Sequence, residues 1–122
     1  MEISQFFKSV IDQDGAPIVI CGLDNTILYM NPAARERYKK HGDLVGTSLA
    51  GCHNANSNEK IRRVLEWFGA DKSHNKVYTF RNDKENKDVY MIALRNEQGE
   101  LIGYYEKHEY RASETMEKYN LF

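Results

Sequence analysis

Cys52 and His53 stand side by side in a polar stretch, residues 52–58, that leads into an apolar-striped segment. A thiolate and an imidazole are ligand types for zinc and for haem iron. A helix starting just after Cys52 would also lower the pKa of a nearby thiol. Against ligation, side chains adjacent in sequence seldom point at one atom. Three readings of the pair therefore stand: loop structure through local hydrogen bonds, lining of a small-molecule pocket, and iron or zinc ligation. With Asn54, the same loop sets polar groups beside an apolar helix face, the usual makeup of a ligand site. Tyr38 and Trp67 are the aromatic residues expected within reach of it.

The other ionisable clusters read more plainly. His108 has Glu106 and Glu109 as neighbours. On a strand, 106 and 108 share a face and 109 does not, so the group reads as a solvated strand end. His41 and His74 stand beside turn residues and read as surface. Arg35, Arg37, Lys39 and Lys40 cluster on the first short helix, with Arg35 and Lys39 on one face, and read as a solvated basic patch. No phosphate-cradling glycine loop and no serine elbow is present. No acid–base–nucleophile set assembles either, so the chain is not expected to be an enzyme.

These side chains need a scaffold, and 122 residues supply one domain. A net charge of -1 gives no field toward nucleic acid or an anionic membrane, and neither is expected as a partner. No apolar run approaches the roughly 20 residues of a spanning helix. The charged N-terminus does not read as a secretory signal, so a cytoplasmic location is expected. With two cysteines, Cys21 and Cys52, and no C-x-x-C, a disulfide is not expected.

Apolar Ile3, Phe6, Phe7, Val10 and Ile11 mark one stripe of an N-terminal helix. Strands are predicted at 16–21 and 26–30, joined by a turn at Gly22–Asn25 whose residues tolerate positive φ. Asn31 suits a helix N-cap and Pro32 the first helical position. That short helix runs to about Lys40, and a compact turn follows at 44–49. The longest helix is predicted over about 57–68, started by an Asn56–Glu59 capping box and stopped at Gly69. Three more strands are predicted at 76–81, 88–95 and 101–109. The divisions are 1–14 (amphipathic helix), 15–110 (folded domain) and 111–122 (polar tail). Strands flanking a block of helices imply an α+β fold with an antiparallel sheet covered on one face. The expected core is Ile18, Ile20, Leu28, Ile61, Val64, Leu65, Phe68, Ile92, Leu94 and Ile102.

The strand–turn–strand–Asn31–Pro32 unit resembles the opening of a PAS domain. Asp43, Val45 and Gly46, with Leu49 behind, resemble the PAS segment that precedes the central helices. Gly99, Leu101, Ile102, Gly103 and Tyr104 resemble its terminal hairpin. The resemblance spans about residues 10–110. It implies a five-stranded antiparallel sheet in the order 2-1-5-4-3, helices over one face, and a ligand cavity between. It also implies homodimers built from the N-terminal helix and the open sheet face.

Haem-binding members take their ligand from the central helix, and residues 57–68 hold no histidine. Flavin photosensors carry an Asn-Cys-Arg-Phe-Leu-Gln motif that is absent around Cys52. Haem, flavin and metal are thus not expected. The last strand ends in Lys107-His108-Glu109-Tyr110-Arg111, not in the Asp–hydrophobe–Thr signature of many multi-domain sensors. No effector segment is recognisable in the remaining residues, so output is expected through a dimer or a signalling partner. The expected function is a cytoplasmic sensor that binds a small ligand between sheet and helices. One alternative is a ligand-free interaction module, its interior filled by Met30, Met91, Phe80 and Trp67. The other is a haem or metal sensor using Cys52 and His53.

Overall fold

The computed structural model describes residues 2–52 and 54–120, with Cys52 by its backbone alone. Helix α1 (Ile3–Gln13) leads into strands β1 (Val19–Gly22) and β2 (Ile27–Met30). Helix α2 (Pro32–Arg37), 3-10 turns at Lys39–His41 and Leu49–Cys52, and helix α3 (Ala55–Ala70) follow. Strands β3 (Lys76–Asn82), β4 (Lys87–Arg95) and β5 (Leu101–Tyr110) complete the chain. All pairings are antiparallel and the strand order is β2-β1-β5-β4-β3, as the family resemblance implies.

Local chemistry explains the element boundaries. Asn25 adopts φ 66° in the β1–β2 turn, a conformation Asn tolerates. Asn31 is fully buried and caps α2 by accepting from the Ala34 N–H at 2.9 Å. It also accepts from the Ile18 N–H and donates to the carbonyls of Ile11 and Ala16. One side chain thus ties the end of α1, the start of β1 and the start of α2. The cap of α3 is Asn54, accepting from Ser57 N–H at 2.8 Å, and not the predicted Asn56. The helix therefore starts earlier than expected. It also runs past Gly69 to Ala70.

The far end of α3 is held by Arg95, at the end of β4. Its guanidinium donates to the carbonyls of Phe68, Asp71 and His74 at 2.7, 3.1 and 3.1 Å. Helix C-termini leave carbonyls without intrahelical partners, and a cation there also opposes the helix dipole. The residues 44–49 are stitched to β2 in the same way. Ile27 N–H donates to Thr47 O, and Gly46 N–H to Ile27 O, both at 2.8 Å.

The core lies between the sheet and this helical layer. Cys21, Ile27, Met30, Ala34, Phe68, Met91 and Tyr104 are buried there. Ile61, Val64 and Leu65 pack against them, half-buried, as the helical stripe predicted. Ile18, Ile20, Ile92 and Leu94, also expected in the core, are half-buried but lie outside this cluster; Ile20 and Ile92 pair with Tyr105 on the other face of the sheet. Two further predicted core residues are more exposed still. Leu28 is 57% exposed and Ile102 is 53% exposed. Both sit in β-bulges. Ile20 pairs with Tyr29 and Cys21 with Ile27, which skips Leu28. Leu94 pairs with Gly103 and Arg95 with Leu101, which skips Ile102. An extra residue resets the two-residue alternation and sends its side chain to the open face. Gly103 is required beside its bulge: a Cβ there would lie 2.3 Å from Cys21 O.

Candidate functional site

The inner face of β1, β2 and β5 and the segment after α2 enclose a cavity of about 490 Å³. The strands contribute Val19, Ile27, Met30, Tyr104, Glu106 and His108. Tyr38, His41, Leu44, Leu49 and Gly51 form the opposite wall. Cavities of this size hold small organic molecules, and an apolar lining with few polar groups is their usual makeup.

The polar groups gather on β5. His108 is only 8% exposed, so the solvated strand end read from the sequence is overturned. Strand alternation puts it on the inner face with Glu106, opposite Val89 of β4. Its Nε2 lies 3.2 Å from Glu106 Oε1. Its Nδ1 is buried without a hydrogen-bond partner among the described residues. The Tyr104 hydroxyl donates to Asn25 Oδ1 at 2.7 Å. Burial and the adjoining Cys21 thiol push the Tyr104 hydroxyl well above the ordinary phenol range. Burial likewise pushes the Cys21 thiol up to about 11, so it stays protonated. Tyr38 is raised first by burial and then by the Glu106 charge.

The predicted site residues separate in space. Tyr38 lines the cavity, and Gly51 brings the polar loop to its wall. Asn54 is spent on the α3 cap. Trp67 is 43% exposed and stacks face to face on His74, with ring centroids 3.9 Å apart. The Cys52 side chain and His53 lie outside the described residues. Sequence reasoning passed over His41, Glu106 and His108 as surface groups. The signal for the last two is their shared strand face, which by itself does not distinguish a face met by solvent from one met by the helical layer.

A protonated thiol, a protonated phenol and one carboxylate–imidazole pair line or adjoin an apolar space. A family model described as PAS domain matches residues 9–108. No curated protein matches the chain. Several solved structures share its fold. A C-terminal domain from Streptococcus mutans is 23% identical with TM-score 0.65, covering 89% of this chain and 84% of its own. The PAS domain of a protein from Colwellia psychrerythraea is 14% identical with TM-score 0.62, covering 90% and 98%. A sensory box sensor histidine kinase from Vibrio cholerae is 12% identical with TM-score 0.57, covering 87% of each chain. With the sheet order, the bulged hairpin and a family match over most of its length, this chain belongs to the PAS domain family.

Proposed function

We propose that this chain is a cytoplasmic, non-enzymatic signalling module that senses a small molecule held between sheet and helices. The cavity carries this reading. Of the four residues proposed to fill the interior, Met30 and Met91 are buried but Phe80 and Trp67 are half-exposed. About 490 Å³ is left open beside them. The sensor histidine kinase among the structural neighbours supports a signalling role. Binding would act by shifting the population of two arrangements of the helical layer. Native mass spectrometry of the purified protein tests the reading. A stoichiometric bound molecule, lost in a Leu49→Trp variant that fills the cavity, is the expected result. A ligand-free wild type, with thermal stability unmoved by a panel of small amphiphiles, would sink it.

A second observation favours homodimerisation as the output. Helix α1 buries none of its residues, and Ile3, Phe6, Phe7 and Val10 are each more than half exposed. The open sheet face adds Leu28, Tyr78 and Ile102. Exposed apolar area of this kind marks an association surface, and a two-fold axis would bury it against its own copy. Sedimentation at micromolar concentration checks this. A dimer that becomes a monomer on deletion of residues 1–12 is expected, and a monomeric intact chain rejects it.

A further inference from the structure

The polar end of the cavity carries a chemical preference. Glu106 is the one carboxylate among the described lining residues, and no lysine or arginine lines the cavity with it. The nearest basic side chains are committed elsewhere. Arg37 forms a bidentate pair with Glu85 at 2.7 and 2.8 Å. Lys87 Nζ pairs with the Glu85 carboxylate at 3.3 Å and lies over the Tyr110 ring, outside the cavity lining. Arg35 and Lys39 face a smaller cleft with Asp43.

His108 reinforces the same preference. A carboxylate only accepts, so Glu106 favours the tautomer with the proton on Nε2. Nδ1 then presents a lone pair, buried and without a donor. That atom is closed off from solvent, so the charged group open to a ligand is the Glu106 carboxylate, whose side chain is 42% exposed. The Glu106–His108 pair is negative with a neutral imidazole and neutral with an imidazolium. In neither state does it offer a net positive charge to an anion. Among the described residues, His41, at the exposed wall, and the protonated phenols of Tyr38 and Tyr104 are the remaining titratable groups facing the space.

We infer that the cavity takes an amphiphilic cation: an apolar or aromatic body on Ile27, Met30 and Leu49, and an ammonium-type donor head against the Glu106 carboxylate. This rests on the cavity being a ligand site, as proposed above. Three probes of one body and different heads separate the two ideas: 2-phenylethylamine, 2-phenylethanol and 3-phenylpropionate. Their affinities for the full chain are measured by calorimetry and by amide chemical shifts of β5. The amine should bind about tenfold tighter than the carboxylate, the usual worth of a charge-assisted hydrogen bond. Glu106→Gln should bring the two within about threefold while the alcohol's affinity holds. Equal or tighter binding of the alcohol or carboxylate by the wild type overturns the cationic class and leaves the cavity as a ligand site. An amine preference that persists in Glu106→Gln overturns the assignment to Glu106. Binding of none of the three at millimolar concentration overturns both the class and the ligand site.

Discussion

The two faces of the sheet are made from the same strands and have opposite fates. The inner face lies under α2, α3 and the 44–52 segment, with Cys21, Ile27, Val89, Met91 and Tyr104 buried. The outer face leaves Leu28, Tyr78 and Ile102 about half exposed. Strand β5 belongs to both: Tyr104, Glu106 and His108 turn inward, while the intervening Tyr105 and Lys107 turn outward. The difference lies in what covers each face. Phe68 from α3 seals the inner side with no exposed surface, and Arg95 and Asn31 hold the helices down. Two bulges then tip extra aliphatic side chains to the side that α2 and α3 leave open. The cavity and the exposed apolar patch are thereby kept apart by one backbone thickness.

Removing the seal should have the largest effect. Phe68→Ala is expected to cost about 3–5 kcal/mol, the range for emptying a large buried aromatic site. Urea denaturation checks it. A midpoint within error of wild type would mean that α3 does not close the inner face. Next comes the tie between layers. Asn31→Ala leaves the N–H groups of Ile18 and Ala34 and the carbonyls of Ile11 and Ala16 without their side-chain partner. Lost capping and lost buried bonds together amount to about 3 kcal/mol. Amide exchange should speed up in α1 and β1 before it does in β4. Uniform acceleration would show that Asn31 is not a local tie.

A smaller effect, with a pH signature, is expected where α2 meets the β3–β4 hairpin. The Arg37 guanidinium beside Glu85 holds its carboxyl at about 2, below the ordinary 4.5. A carboxyl depressed on folding adds stability that is complete above its unfolded pKa and is lost as pH falls through the folded one. Glu85→Gln should therefore lower the melting temperature at neutral pH, and the gap should close between pH 4.5 and about 2. A gap independent of pH would assign the effect to packing instead.

The smallest change in monomer stability is expected on the outer face. Leu28→Ser combined with Ile102→Ser should each alter folding by no more than about 0.5 kcal/mol, as exposed positions usually do. The same pair should weaken self-association in sedimentation. A large loss of folding stability with unchanged association would reverse the roles given to the two faces.

Much of this architecture is set by local chemistry and is legible in the chain. Apolar spacing at 61, 64, 65 and 68 determines a helix and its buried side. Asn31–Pro32 determines where α2 begins, since a cap and a preset φ need only their immediate neighbours. β-branched and aromatic runs bounded by Asn–Gly-rich turns determine five strands. What the tertiary structure decided is which way certain residues face. Leu28 and Ile102 lie in apolar runs that read as core, but a bulge depends on pairing with a partner strand distant in sequence. His108 and Glu106 read as a wet strand end because nothing local shows that Tyr38 and the 44–51 segment fold over them. Arg95 reads as a charged residue before a turn. Its role at the end of α3 exists only once a helix ending 25 residues earlier has been brought beside it. Hydrogen-bond partners and cavities are properties of surfaces that meet, so they appear only when the helical layer is laid on the sheet.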